Sequence, residues 1–275
     1  MFENYLFYFC VIDENIRVAF EQLFRIKTCL GNLAGIIREV TVFEPSITGV
    51  FTMKNHYVKV KSVKKITHDV LQIMVEKPKN FKFKPGQATE ISINKNGWVD
   101  EKRPFTFTNL PQEDYLQFTI KTYPSHKGVT NELLQLKKDD ELIIHDVFGT
   151  ITYQGEGTFI AGGAGVTPFI AILRDLQSRH EIGDNKLIFA NKTSADIILK
   201  DEFEKVLGEN FINILSDKDA KGYPQGYITE SFLKENITDL SKKIYICGPK
   251  PMMKALEEIL SSLNIAKGQI VKEEF

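Results

Sequence analysis

The chain has 275 residues, 43% hydrophobic and 26% charged, a composition able to build a substantial core in one large or two medium domains. Its 35 basic residues nearly balance 36 acidic ones, so no global field draws it to nucleic acid or anionic lipid. Three widely spaced cysteines, Cys10, Cys29 and Cys247, give neither a disulfide framework nor zinc or iron–sulfur spacing; no metal site is expected, and a reducing cytoplasm is the simplest setting.

Residues 1–52 carry no recognisable chemistry. Their uncharged runs NYLFYFCVI and TCLGNLAGII fall far short of the ~20 apolar residues that a bilayer requires. No basic segment precedes the first run, as a signal peptide would need. The extension is read either as an appendage outside the functional core, with Met53 as a natural start, or as an N-terminal helical cap.

Residues 54–153 read as β-rich. The runs HYVKVKSVKKI, VLQIMVEK, ATEISIN, PFTFTN, YLQFTIKTY and ELIIHDV are separated by turn chemistry at KPKN, KPGQ, NKNG and PQED. Six such runs with one helical run, GVTNELLQL, predict a small closed antiparallel barrel. In KRPFTFTN, Phe105 and Phe107 share one side of a strand and Thr106 and Thr108 the other. A plain strand does not account for Arg103.

Residues 158–275 change period. Strands TFIAGG, KLIFAN, FINILS and KIYICG alternate with helices PFIAILRDLQ, LKDEFEKVL, TESFLKENI and KPMMKALEEILSSL. Such alternation predicts right-handed crossovers and a parallel sheet covered on both faces. The segment YQGEG, 153–157, is expected to join the two domains.

Two loops in this second half point to chemistry. In TFIAGGAGVTPF a buried strand runs into Gly162, Gly163 and Gly165, and Thr167 and Pro168 open a helix. Glycines let the backbone turn sharply and approach a ligand, while a helix start presents free N–H groups suited to a pyrophosphate. The pattern is GxGxxP, which also describes a tight turn without a ligand. In YICGPKPMM a strand ends at Cys247, Gly248 turns, and Pro249 or Pro251 starts a helix. Ligands of open α/β sheets bind beyond the carboxyl ends of the strands, so both loops would border one crevice. Cys247 is either a buried core thiol or a small, soft surface against a reacting ring; its pairing with Gly-Pro and the first loop favours the second.

Together, RPFTFTN, GGAGVTP and CGPKPMM resemble the ferredoxin–NADP reductase superfamily, and among its members the short bacterial flavodoxin/ferredoxin reductases without an iron–sulfur domain. The resemblance covers about 57–275 and implies two domains: an antiparallel β-barrel holding FAD at 54–153, then an α/β parallel-sheet domain for NADH or NADPH at 158–275. It places Arg103 and Pro104 at the FAD pyrophosphate, Phe105 against the isoalloxazine and the Thr106 hydroxyl at flavin N5. A guanidinium fork binds phosphate oxygens in pairs. Gly128, Val129 and Thr130 would serve the diphosphate, with Lys121 and Tyr123 on the adenosine side. Ordinary helix chemistry reads the same segment as a threonine-capped N-terminus. Gly162, Gly163, Gly165, Thr167, Pro168, Ser216, Asp217, Cys247, Gly248, Pro249 and Met252 would face the nicotinamide dinucleotide. Phe275 is the candidate cover for the other flavin face, and Glu273 or Glu274 a proton-handling group. An acidic tail serves equally for solubility.

The chain departs from many relatives at Phe105 and Thr106, where they carry tyrosine and serine, and has Lys-Asp-Asp at 138–140 in place of Pro-Gly-Asp. At Asp217, NADPH-preferring relatives tend to carry arginine. A carboxylate there repels a 2′-phosphate and accepts from a ribose 2′-OH, which favours NADH, although Lys192, Lys218 and Lys221 lie near in sequence. The expected reaction passes a hydride from NAD(P)H to FAD and electrons on to flavodoxin or ferredoxin. The competing readings are reduction of free flavin, quinone or ferric chelates, a redox subunit that needs a partner, and a nucleotide-binding module without flavin. Lysines at 59–65 and 77–84 are candidates for docking an acidic acceptor.

Overall fold

The computed structural model describes residues 55–217, 221–237 and 239–273. The extension at 1–52, the candidate start Met53, and Lys218, Glu274 and Phe275 lie outside the described residues.

All six runs of the first half form strands: β1 (His56–Lys65), β2 (Val70–Glu76), β3 (Ala88–Ile93), β4 (Arg103–Thr106), β5 (Tyr115–Lys121) and β6 (Glu141–Phe148). They pair antiparallel in the order β4-β3-β6-β1-β2-β5. Alternation sends Val58 and Val60 of β1, and Leu142 and Ile144 of β6, into one buried cluster. Register shifts in β1 between Val60 and Ser62, and in β3 between Thr89 and Ile91, supply the bends that a closed sheet needs. Beyond β4, Phe107 bridges Phe118 of β5, so the two outer strands meet and the barrel closes. Phe107 stacks on Phe83 at 4.3 Å between ring centres and lies 5.3 Å from Phe118. The helical run condenses to α1 (Val129–Glu132) and a 3-10 turn at Leu133–Gln135. Gly128, in extended backbone, is its N-cap, and no side chain caps it; the threonine cap does not form.

The second half is a five-stranded parallel sheet. It comprises β7 (Gly157–Gly162), β8 (Lys186–Asn191), β9 (Phe211–Leu215), β10 (Lys243–Cys247) and β11 (Ile270–Val271), in the order β11-β10-β7-β8-β9. Four helices follow the expected strands: α2 (Thr167–Ser178), α3 (Lys200–Leu207), α4 (Glu230–Asn236) and α5 (Lys250–Ser262). Period-two alternation sorts the strands' side chains into two cores. Phe159, Phe189 and Tyr245 pack with Phe169, Leu173 and Phe203. Ile160, Ile188, Ile244 and Ile246 pack with Leu233, Leu256 and Leu260. Both faces are covered, as a parallel sheet requires. No helix among the described residues is long and apolar enough to cross a membrane.

Barrel and sheet share apolar packing. Val70 of β2 and Ile151 of the connector, each 1% exposed, belong to the same cluster as Phe169 and Ile172 of α2. Connector 149–156 runs along the sheet. The Thr150 hydroxyl donates to the Lys272 carbonyl at 3.1 Å. Further on, the Tyr245 hydroxyl accepts from Gln154 N at 2.8 Å and donates to the Gly155 carbonyl at 2.7 Å.

Candidate functional site

The two glycine loops touch, and their glycines serve different ends. A side chain at Gly165 would collide with the Cys247 carbonyl, and one at Gly162 with the Met252 sulfur. These two residues permit close packing of β7's loop against β10's loop. Gly163 has φ +51 and open space where a Cβ would project, so its backbone faces a cleft rather than a neighbour.

That cleft, about 440 Å³, lies at the carboxyl ends of the parallel strands. Gly162, Gly163, Asn191, Lys192, Ser216, Tyr227, Pro249 and Met252 line it, and Lys121 and Asp196 stand there as well. Asn191 ends β8, is only 8% exposed, and its Nδ2 has no hydrogen-bond partner among the described residues. An unpaired buried donor costs ~1–3 kcal/mol, so its place in a cleft wall fits an acceptor brought by a ligand. Tyr227 presents an aromatic ring 81% exposed. Backbone hydrogen bonds from Ser216 N to Asn191 O at 3.0 Å and from Asp217 N to Lys192 O at 2.9 Å continue the β8–β9 pairing past the strand ends.

Lys121 ends β5 of the barrel. Its ammonium lies 2.9 Å from Asp69 Oδ2 and 3.9 Å from Asp196 Oδ1, and the His68 ring nitrogen stands 3.6 and 3.7 Å from the same two oxygens. Asp196 is held by a capping box at Thr193, whose N–H and hydroxyl donate to Oδ2 at 2.8 and 2.7 Å. Burial draws the Asp69 carboxyl upward, but the hydrogen bond and charge of Lys121, with Thr67, outweigh it and hold the group below its ordinary range.

At the seam between the two halves, the Thr167 hydroxyl donates to that of Thr106 at 3.4 Å, joining the barrel motif to the glycine-loop helix. A second hollow, about 460 Å³, is lined by Cys247, Gly248, Lys250 and Glu273, among others. The Glu273 carboxylate accepts from Thr150 N at 3.2 Å. Burial, and then the Glu273 charge, push the Cys247 thiol up to about 12. The thiol is protonated at neutral pH and offers a small surface without nucleophilic character.

The remaining predicted residues fall in three places. Arg103 and Pro104 are exposed on β4, and Arg103 donates to the Lys102 carbonyl at 2.6 Å and lies 3.3 Å from Glu101. Phe105 is half-buried against the barrel core, while Thr106 faces Thr167, so the strict alternation of this strand persists. Gly128, Val129 and Thr130 form the uncapped start of α1, and Tyr123 stacks on His126 at 5.6 Å nearby. Pro168 is buried in the first turn of α2. The sequence reading missed Asn191, Asp196, Tyr227 and Asp69. Asn191 left a signal, a polar residue ending a buried parallel strand. Asp196 and Asp69 left none, because their meeting at Lys121 depends on how barrel and sheet dock.

A family model described as an FAD-binding domain matches residues 55–155, and one described as an oxidoreductase NAD-binding domain matches 159–258. The chain is similar to the glycine betaine monooxygenase reductase subunit of Chromohalobacter salexigens, 29% identical over 250 residues covering 85% of this chain and 67% of the relative. It is also similar to NADH-cytochrome b5 reductase 2 of Mycosarcoma maydis, 28% identical over 235 residues covering 77% and 67%. A solved ferredoxin NADP+ reductase from Neisseria gonorrhoeae, with bound FAD and NADP, matches with a TM-score of 0.70 at 20% identity, covering 80% of this chain and 98% of that one. That likeness shows the fold.

Proposed function

The chain belongs to the ferredoxin–NADP reductase superfamily as a flavin-dependent NAD(P)H oxidoreductase with FAD as cofactor, and from that premise we propose that it oxidises NADH in the parallel-sheet cleft and delivers electrons to a separate carrier protein of flavodoxin or ferredoxin type. The observation that carries this reading is the meeting of the two motifs: the Thr106 hydroxyl of the barrel and the Thr167 hydroxyl at the glycine-loop helix lie 3.4 Å apart.

The barrel residues fit the cofactor. Arg103 is an exposed guanidinium, its fork engaged only by the exposed neighbour Glu101 and the adjacent carbonyl among the hydrogen bonds and ion pairs of the described residues. The α1 start leaves its N–H groups without a side-chain cap, and Gly128 has open space where a Cβ would stand; both suit a diphosphate. FAD, held by these residues, would supply the redox chemistry between the nucleotide and the acceptor. Phe105 gives the ring an apolar support, and Thr106 orients a hydroxyl at the seam. Protonated Cys247 offers a small uncharged surface in the second hollow, and Glu273, held there by Thr150, is the candidate proton-handling carboxylate. In the cleft, Gly163 admits the dinucleotide backbone, Lys121 and Lys192 offer charge to its diphosphate, and Tyr227 offers a ring to its base. Glycines at 162 and 165 keep the two loops in contact.

The preference for NADH rests on Asp217, which follows the cleft-lining Ser216; the relative from M. maydis is itself named for NADH. The carrier-protein acceptor rests on the C. salexigens relative, which is named as a reductase subunit, and a cytoplasmic setting goes with it. Purified protein is expected to be yellow and to reduce ferricyanide with NADH. Arg103→Ala is expected to release flavin on gel filtration. Full flavin content and full turnover in that variant would overturn the site assignment, and a large preference for NADPH would overturn the choice of nucleotide.

A further inference from the structure

The cleft is lined by two ammonium groups, Lys121 and Lys192, and one carboxylate, Asp196, but the Lys121 ammonium is already engaged by a second carboxylate, Asp69. Two carboxylates, Asp69 and Asp196, face one ammonium, Lys121, and the imidazole beside them is 60% exposed. Lys192 lines the same cleft and is the other described lysine there.

The two carboxylates are held differently. Asp196 has one oxygen consumed by Thr193 and keeps the other 3.9 Å from the ammonium, beyond hydrogen-bond reach. Asp69 makes the close contact, 2.9 Å. Its backbone is tied to the same barrel edge as Lys121, because Thr122 donates to the Asp69 carbonyl through both N–H at 2.7 Å and hydroxyl at 2.9 Å. Asp69 therefore accompanies Lys121 wherever the barrel goes. A lysine has three donors and a flexible stem, and at 23% side-chain exposure this one is partly shielded from bulk water, so its partner is set by competition between nearby anions.

We propose that Asp69 is a tethered competitor for the diphosphate of the nicotinamide dinucleotide: it holds the Lys121 ammonium until a diphosphate takes its place, and so sets how tightly and how salt-sensitively the cleft binds nucleotide. This rests on the dinucleotide reading of the cleft. Asp69 acts through Lys121 and touches no reacting atom; it is a positioning residue. Its value is release, since a cleft of unopposed lysines would retain the spent nucleotide, whereas a built-in carboxylate reclaims the ammonium as product leaves.

The test uses full-length, flavin-loaded protein and the non-transferring analogue 1,4,5,6-tetrahydro-NAD, titrated calorimetrically at low and high salt, with NADH–ferricyanide kinetics alongside. Asp69→Asn keeps the shape and the backbone bonds and is expected to tighten the analogue ~3- to 10-fold at low salt. It should steepen the salt dependence and lower KM without lowering the rate of hydride transfer. Lys121→Met should weaken binding by a similar factor and abolish the Asp69→Asn effect in the double variant. Asp69→Ser, which also removes the charge and leaves the backbone bonds to Thr122, repeats the measurement with the same expected tightening should Asp69→Asn fold poorly. If Lys121→Met weakens the analogue but Asp69→Asn leaves it unchanged or weaker, the competitor role is overturned while the cleft reading stands. If neither variant moves the analogue, the cleft reading fails and the proposal with it. If Lys121→Met instead sheds flavin with analogue binding intact, the lysine serves FAD and the proposal is overturned.

Discussion

Single residues set the chemistry of the seam, and the glycines show how unequal similar residues are. Gly165→Ala drives a methyl group into the Cys247 carbonyl. Backbone must shift, and the expected result is a loss of several degrees in thermal midpoint together with weakened nucleotide binding. Gly163→Ala meets no atom but carries a left-handed φ of +51, which costs ~1 kcal/mol. It is expected to fold, to keep its flavin and to raise the KM for NADH. Equal thermal losses in the two variants would contradict the distinction. Cys247, pushed up to about 12, is expected to alkylate ~10³-fold more slowly than free cysteine at pH 8, as followed by peptide mass spectrometry; rapid labelling would show a thiolate that this site should not hold. The glycine and Cys-Gly-Pro motifs were legible because they are contiguous. Asn191, Asp196 and Asp69 were not, because each acquires its role from a partner on another element or from the cleft itself.

Elements were legible where period and punctuation agreed. Each predicted strand of the barrel formed, since alternating β-branched residues between Gly, Pro and Asn turns admit few other conformations. The strand of PFTFTN proved shorter, four residues ending at Thr106, with Phe107 reduced to a single bridge. The helix in GVTNELLQL contracted to one turn plus a 3-10 turn, because Gly128 and the following Lys137–Lys138 provide neither a side-chain cap nor an extended apolar face. Sequence also gave no hint that β6 carries a buried polar residue. His145, on β6 where it pairs with β3, is 5% exposed; its Nδ1 lies 2.8 Å from Asn55 Oδ1 and its Nε2 3.4 Å from Ser92 Oγ. Burial, and then the Lys102 charge, lower its pKa. The unfolded chain therefore binds the proton more readily than the folded one. The stability contributed by the neutral ring is fully present above the unfolded value of ~6.5 and is lost as pH falls from there through the lower folded value. Urea unfolding at pH 7.5 and 5.5 is expected to show less stability at the lower pH, and His145→Gln is expected to reduce that difference.

At the scale of the whole molecule, barrel and sheet share apolar packing and are joined by polar contacts, among them a clasp made by Arg174. Arg174 of α2 grips Glu202 of α3 with both arms, at 2.5 and 2.7 Å, and donates to the Thr108 carbonyl of the barrel at 2.5 Å. Arg174→Met removes the clasp, leaving Glu202 and a carbonyl without their donors. It is expected to cost ~1–3 kcal/mol, read as a lower denaturation midpoint with flavin retained. The order of barrel and sheet was readable from the change of period along the chain, whereas this clasp was not, since it joins residues 28 and 66 positions apart.

Connector 149–156 carries a consequence for how the protein comes apart. Its residue Ile151 is buried in the sheet's own core beside barrel residue Val70, and its far end is fastened through the Tyr245 hydroxyl. Pulling the halves away from each other would strip a wall from each. Heating should therefore give a single calorimetric endotherm rather than two, and a cut within this segment should yield fragments that stay associated until both melt.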